Sequence, residues 1–127
     1  MSFTIKNLRE VKDSAPEFGF ESTQEAHFAK EDLDAEATGI SFHVVKPGQR
    51  QAFAHKHDEA EEIYVVVSGS GRVKIDDEIT EIGPLDAIRV APPAARAFEA
   101  GDDGLELVAV GPHHKGDGEL LKADFWK

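Results

Sequence analysis

From Gly39 onward the sequence consists of short segments with strand character, separated by turns that contain glycine and proline. Residues 40–45 and 105–110 are the clearest of these segments, and Pro47 and Gly111 predict the turns that follow them. No long amphipathic helical pattern is present. Many short strands at regular spacing are typical of a β-sandwich or a β-barrel. The sequence therefore predicts an all-β fold with little helix.

The middle of the chain carries the strongest strand signal. Residues 63–67 form an apolar, β-branched run that predicts a buried strand, and residues 72–75 alternate between polar and apolar as a half-buried strand does. Between them, Ser-Gly-Ser-Gly at 68–71 is a turn signal, so we expect a hairpin around Gly69 and Gly71. The Asp-Asp pair at 76–77 predicts a second hairpin tip. Further extended segments are predicted at 51–57, 78–82, 87–90 and 97–99.

Two histidines two positions apart, His55 and His57, precede the buried strand, and Glu62 lies immediately before that strand. Side chains alternate across an extended segment, so both imidazoles point to one face. A carboxylate entering a core strand is costly unless it is paired or coordinated. This set suits one divalent transition metal, and ligand type alone does not choose among zinc, iron, manganese and nickel. The alternative is a solvated acidic turn with two surface histidines.

Composition limits the classes of partner. A chain of 127 residues is long enough for one domain with a real core, and with no cysteine it has neither disulfides nor thiolate metal sites. The formal charge of −11 argues against a nucleic-acid partner. No apolar stretch reaches the length of a membrane span, and the first ten residues lack a signal-peptide pattern, so we expect no membrane partner and a cytoplasmic location.

Five residues together resemble the first conserved motif of the cupin superfamily, which has a glycine, His-x-His, a glutamate and a further glycine: Gly48, His55, His57, Glu62 and Gly69. Residues 83–98 are similar to the second motif of that superfamily. The resemblance implies a single cupin-type β-barrel, a jelly-roll-like double-stranded β-helix, over 1–127. Its parts would be an N-terminal extension at about 1–39, a motif-bearing barrel at about 40–110 and a C-terminal tail at about 111–127.

The second motif departs from the family pattern at one position. Metal-binding members have a fourth ligand there, a histidine, and this chain has Arg96. Arginine stays protonated and only donates hydrogen bonds, so three ligands of the usual set remain. Three outcomes are open. Arg96 pairs with Glu62 or Glu99 and no metal binds, or it turns aside from a three-ligand metal, or it anchors an anionic group of a bound molecule.

Strand alternation predicts further residues that contact a ligand. Gln51 and Phe53 share the face of His55, Tyr64 shares the face of Glu62, and Phe98 shares the face of Arg96. For Tyr64 a purely structural role, with its ring in the core, is an equal alternative. We therefore predict that Arg96, Gln51, Tyr64, Phe53 and Phe98 contact a substrate.

Other histidines are weaker candidates for ligands. His43 alternates with Phe42, and if Phe42 belongs to the core, His43 faces outward. His113 and His114 lie in a polar segment that predicts a surface loop.

The resemblance leaves the activity open. It implies a metal-binding protein that acts on, or binds, a small and anionic organic molecule, as a metal-dependent oxygenase, isomerase or decarboxylase. The alternatives are a non-catalytic binding protein and a metal-free protein in which Arg96 replaces the fourth ligand. The resemblance also implies a homodimer. The apolar tail residues need a surface to cover, either on the barrel or on a second subunit: Leu120, Leu121, Phe125 and Trp126.

Overall fold

The computed structural model describes residues 2–51, 53–112, 117–121 and 125–126. Most of these residues lie in eight strands: β1 Gln24–Phe28, β2 Thr38–Val45, β3 Ala54–His57, β4 Glu62–Ile75, β5 Glu78–Ile82, β6 Ala87–Val90, β7 Arg96–Pro112 and β8 Gly118–Leu121. Two single turns of 3₁₀ helix, Leu8–Glu10 and Ala15–Phe18, precede β1. The prediction of an all-β fold with little helix is confirmed. Within the described residues, no helix is long and apolar enough to cross a bilayer.

All eight strands belong to one curled antiparallel sheet, and β7 is its centre. On one side β7 pairs with β4 over both halves of its length, and on the other side it pairs with β3 at its start and β2 at its end. β1 extends the sheet from β2, β8 extends it from β3, and β4 also pairs with β5 and β6. The main apolar cluster lies inside this curl: Val45, Tyr64, Val66, Val73, Ile82, Val90, Phe98, Ala100, Leu105, Leu107 and Ala109.

The hairpin predicted around Gly69 and Gly71 is wrong, because β4 is continuous through both residues. The pairing of β4 with β7 instead shifts register on either side of Gly69, as at a β-bulge. A Cβ atom on Gly71 would lie 2.0 Å from the carbonyl oxygen of Glu99, and one on Gly69 would lie 2.0 Å from that of Gly104. These glycines therefore permit a close approach of two strands and do not reverse the chain. Gly111 likewise lies inside β7, so the turn expected there after residue 110 is not formed.

The second predicted hairpin is confirmed. Ile75 pairs with Glu78, which leaves Asp76 and Asp77 as the two-residue tip. Asp76 has a φ of 50°, a conformation that aspartate tolerates better than most residues. Its carboxylate accepts a hydrogen bond from the backbone N–H of Ala95 at 3.0 Å, which ties the tip to the start of β7.

The N-terminal segment covers the outer face of β2. Phe42 is buried, and the guanidinium of Arg9 lies 5.0 Å from the centre of its ring. Arg9 also forms two hydrogen bonds with the carboxylate of Glu106. Phe42 is thus buried on the outside of the sheet, and its neighbour His43 faces the inside. The expectation that His43 faces outward is therefore wrong, because it assumed that a buried phenylalanine marks the inner face.

The described residues of the tail pack on the barrel. β8 pairs with β3, and a second apolar cluster joins Leu121, Phe125 and Trp126 to three alanines of the barrel. The indole N–H of Trp126 donates to the backbone oxygen of Gln51 at 3.1 Å. Of the two surfaces expected for this tail, the barrel is the one observed. Leu120 remains about half exposed.

Candidate metal centre

Two adjacent strands bring the predicted ligands together. His55 and His57 lie on β3, and Glu62 is the first residue of β4, after a short loop. Oε1 of Glu62 is 3.1 Å from Nε2 of His57 and 3.4 Å from Nε2 of His55. One ligand atom from each residue lies within 4.8 Å of the others. The structure thus places the three predicted ligands around one point.

The donor set fits a divalent transition ion. Both ring nitrogens of His57 are buried, and within the described parts of the chain neither makes a hydrogen bond of good geometry, although carboxylate oxygens of Glu62 and Asp117 lie 3.1 and 3.4 Å away. Buried polar atoms without a partner are rare and call for an explanation. Two imidazoles and a carboxylate are common ligands of zinc, iron, manganese and nickel. An ion bound between these atoms would supply the partner that Nε2 of His57 lacks.

Asp117 lies behind the ring of His57, on the side away from Glu62. Its Oδ2 lies 3.4 Å from Nδ1 of His57. Its carboxylate also accepts hydrogen bonds from three consecutive backbone N–H groups of the loop between β3 and β4, those of Asp58, Glu59 and Ala60. Burial acts to raise the pKa of Asp117, but these hydrogen bonds outweigh it and lower the pKa. A carboxylate behind a metal-binding histidine fixes the orientation of the ring.

Glu62 is held as a carboxylate. Burial alone would raise its pKa, but hydrogen bonds from His55 and Tyr64 and the charges of His55 and His57 lower the pKa to about 2. The hydroxyl of Tyr64 donates to Oε1 of Glu62 at 2.6 Å and lies 3.1 Å from Nε2 of His55. Burial and the neighbouring negative charge raise the pKa of Tyr64 well above its usual value. Tyr64 therefore remains a hydrogen-bond donor to the centre.

Arg96 points into the centre and is fully buried. Its Nη1 donates to Oε1 of Glu62 at 3.1 Å, and its Nη2 donates to the backbone oxygen of Ala91 at 2.9 Å. Glu99, the other partner considered from the sequence, pairs instead with Arg72 and Arg50. Of the contacts left open for Arg96, the one observed is with Glu62.

The centre opens onto two cavities. One, of about 300 Å³, has a mainly apolar wall formed by Ala15, Phe18, Phe20, Ala26, Phe28 and Leu120. The other, of about 410 Å³, carries charged residues at its edge, among them Lys30, Glu31 and Asp117. The two cavities share four lining residues: Phe28, Ser41, His57 and Glu62. A molecule in either cavity would therefore reach the candidate ligands.

The other predicted contact residues occupy different places. Gln51 and Tyr64 line the apolar cavity. Oε1 of Gln51 already accepts the backbone N–H of Phe98 at 3.1 Å. The ring of Phe98 is buried in the core against Tyr64, with ring centres 4.8 Å apart. Phe53 packs on Phe20, with ring centres 5.5 Å apart, and lines neither of the two cavities.

His43 is a cavity residue that the sequence reasoning missed. It lies on β2, its Nε2 is 2.8 Å from Oγ of Ser41, and its ring packs edge-on against Phe28. Burial and the nearby His55 lower its pKa to about 4, against the opposing effect of Glu62. Alternation with Phe42 was the available signal, and it was interpreted in the wrong sense. His113 and His114 lie outside the described residues.

Other wall residues gave no usable signal. Phe18, Phe20 and Phe28 belong to the N-terminal segment, whose strand and turn pattern is the least clear in the sequence. Asp117 meets the centre only through the pairing of β8 with β3, which links residues about sixty positions apart. No spacing rule in the sequence predicts that pairing.

Comparison with known proteins agrees with the geometry. A family model described as a cupin domain matches residues 41–111. A search of curated proteins found no match.

Solved structures with the same fold are numerous. A polyketide cyclase, RemF, from Streptomyces resistomycificus superposes with a TM-score of 0.75 at 18% identity, over 97% of this chain and 89% of that one. A cupin protein from Bacteroides fragilis gives 0.72 at 20% identity, over 91% and 88%. A predicted oxalate decarboxylase from Thermotoga maritima gives 0.61 at 23% identity, over 72% and 81%. At these identities the likeness shows a shared fold.

Proposed function

The chain belongs to the cupin domain family, and we propose that it binds one divalent transition metal at His55, His57 and Glu62 and a small organic molecule in the adjacent cavity. The observation that carries this proposal is the convergence of three ligand atoms within 4.8 Å of one another beside an apolar cavity. Three protein ligands leave coordination positions open for water and substrate, as in catalytic sites. When bound, the metal supplies Lewis acidity or, if it is iron, a site for oxygen chemistry.

The residues around the ligands have supporting roles in this proposal. Tyr64 donates to Glu62 and keeps its carboxylate in place, and Asp117 faces the rear nitrogen of His57. The apolar wall excludes water from one side of the centre, which strengthens the electrostatic interactions there. These features suit an oxygenase, an isomerase or a decarboxylase, and we propose that the reaction belongs to one of these metal-dependent classes.

The contacts bear on the charge of the ligand. An anionic ligand held by Arg96 is the expectation from the sequence. Arg96, however, is fully buried and donates to Glu62 and Ala91. Among the described residues that line the apolar cavity there is neither lysine nor arginine. These facts favour an uncharged, mainly apolar molecule in that cavity over an anionic one.

A second candidate function rests on the same arginine. In a metal-free protein, the guanidinium of Arg96 would neutralise Glu62, and the cavity alone would bind the organic molecule. The contact of 3.1 Å between Arg96 and Glu62 favours this alternative. Two unit charges of like sign 4 Å apart repel by about 4 kcal/mol at an effective dielectric constant of 20, so Arg96 weakens binding of a divalent ion.

Metal analysis of protein purified without an affinity tag separates the two candidates. We expect about one equivalent of a transition metal, and a loss of at least about tenfold in affinity in His55→Ala and in His57→Ala. Lys56→Ala is the matched control, because Lys56 lies between the two histidines on β3 and pairs with Glu119. Absence of metal after repletion with zinc, nickel, manganese and iron, with an unchanged melting temperature, would contradict metal binding.

A homodimer in the cytoplasm is the assembly and location that we propose. A second copy would cover some of the large apolar side chains that are exposed on the described surface, among them Phe3, Ile5, Ile63, Val67 and Leu85. Light scattering coupled to gel filtration tests the dimer, and a mass of one chain at all concentrations would contradict it. The absence of cysteine agrees with a reducing compartment.

A further inference from the structure

We propose that His43, supported by Ser41, selects the ligand of the apolar cavity, and that this ligand is an uncharged aromatic molecule carrying a hydroxyl group. The inference rests on the proposed binding function of the cavity. It does not depend on whether a metal is bound.

The position of His43 is the first argument. β2 places Ser41 and His43 on the inner face, and both residues line the apolar cavity. Nε2 of His43 is 2.8 Å from Oγ of Ser41. Nδ1 of His43 is buried and has no hydrogen-bond partner within the described residues. A buried polar atom without a partner is costly, and a ligand group in the cavity would remove that cost once a small rotation of the ring brought Nδ1 into contact with it.

The polarity of the ligand group follows from the two neutral tautomers of the ring. If Ser41 donates to Nε2, then Nδ1 carries the proton and donates to the ligand. If Nε2 donates to Ser41, then Nδ1 accepts a hydrogen bond from the ligand. A hydroxyl group both donates and accepts, so it satisfies either tautomer. A methyl or halogen group in the same place satisfies neither.

The walls specify the rest of the molecule. Phe18, Phe20 and Phe28 line the cavity, and ring-to-ring contact with aromatic groups is favourable in such a site. A volume of about 300 Å³ is at the lower limit of cavities that hold drug-sized ligands, so one or two fused rings fit. A negative group on the ligand would find no cationic side chain among the described lining residues. The walls therefore select against an anion.

Binding of three naphthalene probes tests the proposal. The probes are 2-naphthol, 2-methylnaphthalene, in which a methyl group replaces the hydroxyl, and 2-naphthoate, in which a carboxylate replaces it. Affinities are measured by titration calorimetry on protein treated with a chelator. We expect 2-naphthol to bind about tenfold more tightly than 2-methylnaphthalene, as one added hydrogen bond predicts, and 2-naphthoate to bind most weakly.

Three variants assign that preference to the imidazole. His43→Phe keeps an aromatic ring without a polar atom, and we expect it to bind 2-naphthol and 2-methylnaphthalene about equally. His43→Gln keeps a donor and an acceptor and should retain part of the preference. Ser41→Ala removes the partner of Nε2 and should reduce the preference without abolishing it. Melting temperatures identify any variant that fails to fold, and His43→Gln and Ser41→Ala then carry the test.

Several results would overturn the proposal. They are an unchanged preference in His43→Phe, no preference for 2-naphthol in the unaltered protein, tighter binding of 2-naphthoate, or no binding of any probe. A protein that binds no metal but prefers 2-naphthol through His43 would contradict the proposed metal site and leave this inference standing. The two proposals therefore fail separately.

Discussion

At the scale of single residues, Arg96 adds a positive charge to the candidate centre. Because its guanidinium is fully buried 3.1 Å from Glu62, a divalent ion beside Glu62 would meet a fixed positive charge. Replacing that charge with an imidazole also restores a nitrogen ligand at the position where the family has one.

We therefore expect Arg96→His to tighten zinc binding by at least about tenfold, measured by competition with a chromophoric chelator. Arg89→His is the matched control, since Arg89 pairs with Glu61 on the protein surface. Unchanged or weaker affinity in Arg96→His would mean that Arg96 does not occupy the fourth-ligand position.

Tyr64 is the second residue whose removal gives a clear expectation. Its hydroxyl donates to Glu62, while its ring packs on Phe98. Tyr64→Phe keeps the packing and removes the hydrogen bond, so zinc affinity should fall by about tenfold, as it does when a supporting partner of a ligand is lost. The melting temperature reports separately on the packing. An affinity equal to that of the unaltered protein would show that Tyr64 has a structural role alone.

The convergence of the three candidate ligands was predictable, and the residues around them were only partly so. His-x-His on a strand and a glutamate at the mouth of the next strand obey alternation, which is a local rule. His43 was assigned to the wrong face because the N-terminal segment buries Phe42 from outside, which no local pattern shows. Asp117 reaches the centre through a long-range strand pairing, which no local pattern indicates.

At the scale of elements, glycines in β4 permit its close approach to β7. A Cβ on Gly71 would lie 2.0 Å from the carbonyl oxygen of Glu99 on β7. We expect Gly71→Ala to lower the free energy of unfolding by about 3 kcal/mol, because the overlap is with backbone that cannot move aside. Chemical denaturation measures the change.

A second glycine provides the control for this substitution. A Cβ on Gly83 would meet nothing within 4 Å, so Gly83→Ala should change stability by less than about 1 kcal/mol. Equal effects of the two substitutions would indicate that the close approach of β4 and β7 is not what Gly71 permits.

The same glycines explain the main error at the level of elements. Ser-Gly-Ser-Gly at 68–71 satisfies the local signal for a turn, yet glycine is also the residue of bulges and close strand contacts. Which of these applies depends on whether β7 runs alongside, and that is decided by tertiary pairing. The Asp-Asp tip at 76–77 was correct because a two-residue hairpin is specified almost entirely by local conformation.

At the scale of the whole molecule, the contact between the barrel and the C-terminal tail can be tested. Glu99 on β7 pairs with Arg50 and Arg72, and both guanidinium groups lie over the ring of Trp126, at 4.9 and 6.0 Å from its centre. Burial acts to raise the pKa of Glu99, but hydrogen bonds and charge interactions with the two arginines outweigh it and lower the pKa. The ionised form of Glu99 therefore stabilises the folded state.

The sign of the pH dependence follows from that direction. Since the pKa is lower in the folded than in the unfolded chain, the stabilisation is present above the ordinary glutamate pKa and is lost as the pH falls through the lowered folded value. We expect Glu99→Gln to melt about 3 °C lower than the unaltered protein at neutral pH, with the difference shrinking on acidification. Glu119→Gln controls for the loss of one negative charge. A difference that is constant with pH would contradict the assignment.

The sequence was most informative about the whole molecule, namely its fold class and its family. Regular strand spacing indicated an all-β fold, and the first motif indicated the family, because both depend on residues close together in the chain. The path of the N-terminal segment over β2 and the pairing of β8 with β3 depend on contacts between distant residues. Those long-range contacts complete the walls of the apolar cavity. The walls were therefore the part of the molecule that was hardest to predict from the sequence.

The buried guanidinium of Arg96 bears on whether the protein needs a bound metal in order to fold. Many small metal domains lose their structure when a chelator removes the ion, because the free energy of metal binding is what stabilises their folded state. Here the chain itself carries a counter-charge, in the contact between Arg96 and Glu62. We therefore expect the barrel to fold without a metal and to keep its structure when a chelator is added.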